Sequence, residues 1–261
     1  MTSDRGRPSS RAVGSVARAG QLLDVLAASD AGLGVNELAR QIGVNASTAS
    51  RLLATLQDAG LVMRTDGGPY RLGLKLVTLS ERVLAQLDVR QLARPLLARL
   101  VAETGETATL SLPGETQAIT VDFVPSPSSV VSMARVGRPS VSHATSAGKV
   151  MLAYAGAAGG DRWVPEELTK YTSRTITDPS ALAAELDAVR ERGWAEAVGE
   201  READLAALAA PVFGRDRELA AILGVQGPAS RLPAAARRAL RGPLLEAAGE
   251  LTLALGGQLQ G

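Results

Sequence analysis

Leu33 to Leu72 reads LGVNELARQIGVNASTASRLLATLQDAGLVMRTDGGPYRL, and it decides the fold of the first part of the chain. Asn36 is placed to cap a short helix, with Glu37, Leu38, Ala39 and Ile42 following at helical spacing. Gly43 stops that helix, because a tight or left-handed turn is cheapest at glycine. Asn45 caps a second helix, NASTASRLLATLQDAG, which ends at Gly60. Its apolar positions Ala49, Leu52, Leu53 and Leu56 form one face. Ser47, Thr48, Ser50 and Arg51 form the other, near the helix start. In a helix-turn-helix reader the N-terminal residues of the second helix enter the major groove. Small hydroxyl side chains allow close approach there, and an arginine at Arg51 can pair with guanine or phosphate. Thr65-Asp66-Gly67-Gly68-Pro69 is a turn between two short strands, flanked by Arg64 and Arg71, which gives a basic-edged wing able to hold phosphates. The rival reading of the same pattern is an ordinary helical hairpin and β-turn of the kind enzymes also carry.

Working outward, Ser15 is placed to cap a supporting helix, SVARAGQLLDVLAASD, with Val16, Ala19, Leu22, Leu23 and Leu26 on one face. Residues 15–74 then make a winged helix-turn-helix. Residues 1–14 lack periodicity and read as a disordered basic arm. Arg5, Arg7 and Arg11 in it could enter a minor groove, or the arm is simply a solvated tail. On the other side, KLVTLSERVLAQL, within residues 75–88, reads as a linker helix with a narrow stripe of Leu76, Leu79, Val83 and Leu87. That stripe suits packing on its copy in a second subunit, or on the next domain of the same chain.

Residues 89–261 read as a separate α+β domain with an antiparallel sheet. A helix spans Val89 to Thr104, with Pro95 at a first turn or a kink. The period then drops to two. Thr107–Leu112 and Gln117–Val124 are a hairpin, and Val130–Ala134 a third strand. A helix starts at Thr145 or Ser146. Pro179–Arg192 is an amphipathic helix, Gly193–Gly199 a strand, and Ala206–Phe213 with Leu219–Gln226 a second hairpin. The C-terminal helix starts at Pro233 and is interrupted at Gly242-Pro243.

Composition narrows the function classes. With no cysteine there is no disulfide, no thiolate nucleophile and no cysteine-ligated zinc. His143 is the one histidine, which leaves no histidine-based metal site. No cofactor or metal is therefore expected. No apolar run reaches the ~18 residues of a membrane span, and the N-terminus lacks an apolar signal core, so a cytoplasmic protein with no membrane partner is expected. Hydrophobic residues make up 46% of the chain and aromatic ones 3%, so the core is built from Ala, Val and Leu. Net charge is +1, but residues 1–75 carry nine Lys and Arg against six Asp and Glu, the sign that phosphate attraction requires.

Catalytic patterns are weak. Ser146-Ala147-Gly148-Lys149 matches S-x-x-K, but neither S-D-N nor K-T-G accompanies it. The same stretch fails as a phosphate-binding loop, with His143 where a glycine belongs and Val150 where Ser or Thr belongs. A hydrolase with a fused helical domain would rest on Ser146 and Lys149 alone, so no enzyme is expected. What remains is a helix start, residues 145–148, whose amides suit a carboxylate or phosphate.

Several stretches, in order, carry a family resemblance: SVARAGQLLDVL, STASRLLATLQDAGLV, YRLG at Tyr70–Gly73, SHATSAGKVMLA, TITDP at Thr175–Pro179, RERGWA at Arg190–Ala195 and AAPVF at Ala209–Phe213. From Ser15 to its end the chain resembles the IclR family of bacterial transcriptional regulators. The resemblance implies a winged helix-turn-helix, a linker helix and a GAF-like effector domain. It implies homodimers that often pair into tetramers on double-stranded palindromic operator DNA, with repression or activation set by a small-molecule effector, usually an organic acid. DNA-reading residues are then Asn45, Ser47, Thr48, Ser50, Arg51, Arg64 and Arg71. The effector pocket is carried over to Thr145, Ser146, Ala147 and Gly148 and to the positions now held by Ala197, Ala207, Gly224 and Gln226. In relatives that bind short acids those last four positions are an aspartate, a cysteine and two serines. Glu196 is one residue off and on a strand would face the other way. Asp204 and Val141 replace a usual glycine and proline. The expected pocket is therefore roomier and less polar, suited to an acid with an apolar or aromatic body.

Overall fold

The structure is a computed structural model that describes residues 14–64, 68–85, 88–129, 134–154, 165 and 167–258. It divides into two compact units, Met1–Gln86 and Leu87–Gly261. The expected basic arm with Arg5, Arg7 and Arg11, the wing-turn residues 65–67, and residues 130–133 of the expected third strand lie outside the described residues.

In the first unit, α1 (Gly14–Ala27), α2 (Val35–Gln41) and α3 (Ala46–Asp58) pack around Leu22, Leu26, Leu38, Leu53 and Leu56. β1 (Val62–Arg64) and β2 (Tyr70–Leu72) form the antiparallel wing, with Arg64 opposite Tyr70. Tyr70 also bridges to Leu33, which anchors the wing to the loop before α2. Three details differ from the sequence reading. Helix α1 is already helical at Gly14, so Ser15 lies inside it and does not cap it, and Val16 is 69% exposed rather than inward. The N-cap of α2 is Gly34, without a side-chain hydrogen bond, and Asn36 falls within the first turn. Leu33 pairing with Tyr70 fixes the entry of the chain two residues early, and that tertiary bond outweighs the preference for asparagine at the cap. Helix α4 (Lys75–Ala85) closes this unit. Leu74 is 77%, Val77 57% and Leu79 46% exposed, whereas the side chains of Val83 and Leu87 lie outside the described set.

The second unit is built on a six-stranded antiparallel sheet of order β5-β4-β3-β8-β7-β6. The strands are β3 (Thr107–Pro113), β4 (Ala118–Val124), β5 (Pro139–Ser140), β6 (Ala195–Val198), β7 (Leu205–Phe213) and β8 (Leu219–Pro228). Among the described residues the edge partner of β4 is the short β5, paired through Ala118 and Ile119, and Ala134 itself is irregular. Among the described residues four helices accompany the sheet: α5 (Asp88–Thr104), α6 (Ser146–Tyr154), α7 (Pro179–Arg192) and α8 (Ala234–Ala254). Ala195 of β6 packs in the core with α6 and α7. Its neighbour Glu196 bonds Arg237 of α8 instead, as strand alternation requires.

Both prolines sit inside helices. Pro95 lies in the interior of α5, not at its first turn, and α8 continues through Gly242-Pro243 without interruption. An interior proline costs roughly 3 kcal/mol. Leu240, Leu244, Ala247, Ala248 and Leu251 are buried along α8, and each fully buried leucine recovers about 1.5–3 kcal/mol, enough to hold the helix through the break. Asp178 caps α7 through Ala181 N at 2.8 Å, and Gly193, at φ 77°, reverses the chain into β6. Trp194, next in line, lies between the guanidinium groups of Arg192 and Arg241, 4.4 and 4.1 Å from its ring centroid.

Candidate functional site

The start of α3 is prepared by its cap. Asn45 is extended (φ −74°, ψ 156°), and its Oδ1 accepts from Thr48 N at 2.8 Å and from Ser47 Oγ at 2.9 Å. Such a cap fixes the first turn, so Ser50 and Arg51, both exposed, project from a rigid base. Arg51 shares a groove between α1 and α3 with Thr48 and Arg18. Arg18 lies 33 positions before Arg51, and the packing of α1 on α3 brings both to this groove. On the wing, Arg64 Nε donates to Gly68 O at 3.0 Å and its guanidinium lies over the Tyr70 ring. Arg71 Nη2 donates to Ala31 O at 3.1 Å, so this side chain also ties the wing to the loop after α1. Among the described residues no group of His, Asp or Glu side chains is arranged to hold a metal ion.

The second unit contains a cavity of about 70 Å³ between the start of α6 and the sheet. Thr145, Ser146 and Ala147 line it from the helix, and Ala197, Ala207, Gly224 and Gln226 from the strands. Seven of the eight carried-over positions therefore meet around one space. The register explains why: Ala197 faces Ala207, Ala207 faces Gln226, and Gly224 faces Thr109, so rows across β6, β7, β8 and β3 converge under α6. Gly148 is the exception and does not line the cavity. Its backbone packs so closely that an added Cβ would stand 2.5 Å from Ser142 Cα, and its N–H is taken by Thr145 Oγ1 at 3.1 Å. The anion-binding amides expected over 145–148 are thus reduced by one, because the threonine caps its own helix.

The sheet wall is also more polar than expected. Thr109, Ser111 and Thr120 line the cavity from β3 and β4. Thr109 Oγ1 lies 2.7 Å from the point a Cβ on Gly224 would occupy. A hydroxyl absent at 224 is therefore supplied from the paired strand. The signal was present as Thr107, Thr109 and Ser111 alternating along one strand face, but only the strand register shows which cavity that face serves.

Behind the helix start lies an ionic cluster. Lys149 is 2% exposed, and its Nζ donates to Glu200 Oε1 at 2.8 Å and to Glu196 O at 3.0 Å. Glu185, 3.6 Å from the same Nζ, is held in turn by Arg192 at 2.8 Å. Burial holds the Glu200 carboxyl above its ordinary range, and Lys149 offsets only part of that rise. Lys149 is thus committed to structure, and the Ser146/Lys149 pair is not an acyl-transfer pair. At the mouth, Arg138 meets Glu202 at 2.5 Å and Arg201 Nη1 donates to Pro139 O at 3.0 Å, joining the loop after β6 to the segment around β5.

A capped helix-turn-helix with arginines on its wing in one unit, and a small cavity under a helix start in the other, fit a DNA-binding regulator that carries a second, effector domain. Comparison with known proteins agrees. The IclR helix-turn-helix domain matches residues 15–66 and the bacterial transcriptional regulator IclR C-terminal domain matches residues 81–253. The HTH-type transcriptional regulator XynR of Escherichia coli (strain K12) is 31% identical over 244 residues, 93% of this chain and 97% of that protein. The transcriptional repressor IclR of the same organism is 30% identical over 254 residues, 96% and 93% of the two chains. Among solved structures, an ICLR transcriptional regulator from a Silicibacter species superposes with a TM-score of 0.80 at 32% identity, covering 95% of this chain and 98% of that one. An IclR homolog from Microbacterium hydrocarbonoxydans, complexed with 4-hydroxybenzoate, gives a TM-score of 0.73 at 25% identity over 93% and 99% of the chains. The chain belongs to the IclR family of bacterial transcriptional regulators. It is a DNA-binding regulator and not an enzyme. None of its described helices is long and apolar enough to cross a membrane.

Proposed function

We propose that this regulator binds operator DNA through residues 15–74 and is switched by an organic acid held in the cavity of residues 89–261, a domain we class as GAF-like. The observation that carries the effector reading is the convergence of Thr145, Ser146 and Ala147 with Ala197, Ala207 and Gly224 around one space. Amides at a helix start favour a carboxylate, and the small side chains opposite favour an apolar body. The 4-hydroxybenzoate bound by the Microbacterium relative supports an aromatic acid. At roughly 10–15 Å³ per water-sized group, about 70 Å³ holds five to seven such groups, so a ring acid needs the cavity to widen on binding.

In the DNA-binding half, Ser47, Thr48, Ser50 and Arg51 read the major groove from the frame set by Asn45, while Arg64, Arg71 and Arg18 serve the phosphates. Residues 75–88 form the dimerisation linker, supported by the exposed Leu74, Val77 and Leu79. Dimers, pairing further into tetramers, then match a palindromic operator. The test combines a mobility-shift assay on DNA upstream of the protein's own coding region with calorimetry of pyruvate, glyoxylate, benzoate and 4-hydroxybenzoate. An acid that binds and changes the DNA affinity is expected. Tight binding of the two short acids, with none of the ring acids, would overturn the aromatic assignment.

A further inference from the structure

The charged side chains of the cavity do not balance. Glu200 is claimed by Lys149 at 2.8 Å and Glu202 by Arg138 at 2.5 Å. Arg201 is partly buried at the mouth, and its one hydrogen bond among the described residues runs from Nη1 to the Pro139 carbonyl at 3.0 Å. No carboxylate of the described residues lies within ion-pair distance of it. We propose that Arg201 is the counter-charge for the effector's carboxylate, clamping it through Nε and Nη2 at the mouth of the cavity, which makes Arg201 a specificity-determining residue for acids over their neutral isosteres. This rests on the organic-acid reading above but makes Arg201, in place of the helix-start amides, the principal partner of the acid group.

Three observations support it. The Pro139 bond fixes the guanidinium from behind, leaving the Nε and Nη2 edge for a planar, bidentate partner. Burial, and next the like charge of Arg138, lower the proton affinity of Arg201, with Glu202 opposing, so the ligand-free cation is under-compensated and an incoming anion offsets that. Of the two other arginines lining the cavity, Arg138 is paired with Glu202, and Arg135 is exposed and keeps its hydration, which weakens its claim on a ligand. With the carboxylate at Arg201, the remainder of the effector faces the Ser111 and Thr120 hydroxyls and the small side chains of Ala197 and Ala207.

The experiment is calorimetry on the full chain with benzoate, 4-hydroxybenzoate, pyruvate and glyoxylate, with benzamide as the neutral isostere, followed by the tightest acid against variants. Arg201→Gln is expected to weaken that acid by about tenfold or more, while Arg135→Gln changes it by about twofold or less. Benzamide binding, already weak, stays unchanged in Arg201→Gln. Should Arg201→Gln lose its cooperative melt, Arg201→Lys keeps the charge without the planar fork, and a several-fold loss of the acid is expected there. An acid that binds wild type and Arg201→Gln equally overturns the assignment and leaves the organic-acid reading standing. If no acid binds the wild type, the organic-acid reading falls, and this inference with it.

Discussion

Lys149 Nζ and Glu200 Oε1 lie 2.8 Å apart, and the lysine is 2% exposed, so α6 is seated on a buried ion pair. The pair joins α6 to the loop after β6, the same loop that supplies Arg201 and Glu202 to the cavity mouth. Glu200 itself lines the cavity, and its Oε2 is buried without a partner among the described residues.

Removing the lysine leaves that carboxylate uncompensated. Breaking a buried pair from one side costs about 3–5 kcal/mol, so Lys149→Met should lower the urea midpoint of the second unit by a corresponding amount. The pH dependence has a definite sign. A carboxyl raised in the folded state stabilises the fold below its unfolded value, and that contribution is lost as pH rises through the folded value. Lys149 supplies the two largest opposing influences on Glu200, so without it the loss of stability with rising pH must be steeper than in wild type. Equal slopes from acid to neutral pH would count against the pairing.

Gly148 is required by the close approach of α6 to Val141 and Ser142. A Cβ there would stand 2.5 Å from Ser142 Cα and from the Val141 carbonyl oxygen. Forcing such a contact in a packed site costs about 1–3 kcal/mol. Gly148→Ala is expected to lower the melting temperature and weaken effector binding together. A variant with wild-type melting would show that the backbone gives way freely.

Gly224 and Thr109 are coupled across β8 and β3. A serine at 224 would place its Cβ 2.7 Å from Thr109 Oγ1. Gly224→Ser alone should destabilise by about 1–2 kcal/mol, whereas Gly224→Ser with Thr109→Ala should recover most of it. Additive losses in a double-mutant cycle of chemical denaturation would rule the coupling out.

For DNA, Arg51 and Arg71 separate by role. Arg51 is exposed on the capped first turns of α3, and its loss should remove base discrimination of about 1–3 kcal/mol per half-site. Arg71 ties the wing to Ala31 O and, in its proposed role as a wing cation on phosphate, its loss in Arg71→Ala should weaken operator and random DNA alike and shallow the salt dependence. Mobility shifts on operator and scrambled duplexes at two salt concentrations distinguish them. Arg51→Ala with unchanged preference between the duplexes would remove it from the reading surface.

The sequence by itself determined the order and kind of almost every element, because each was marked locally. Asn45 caps its helix as its position suggests, Gly43 and Gly60 adopt the positive φ that favours glycine, and the change of period after Glu106 marks the sheet. It also identified seven of the cavity's residues, since family motifs fix positions along the chain. Only the tertiary structure decided where Asn36 and Pro243 fall, because the Leu33–Tyr70 bridge and the buried face of α8 override local preference. The polarity of the cavity was equally hidden. Thr109 and Ser111 reach it through the pairing of β3 with β8, and Arg201 through its bond to Pro139 O, 62 residues away. Contacts between strands distant in sequence leave no periodic trace, so the charge and hydroxyl content of a site shared by several strands is settled only when the sheet is assembled.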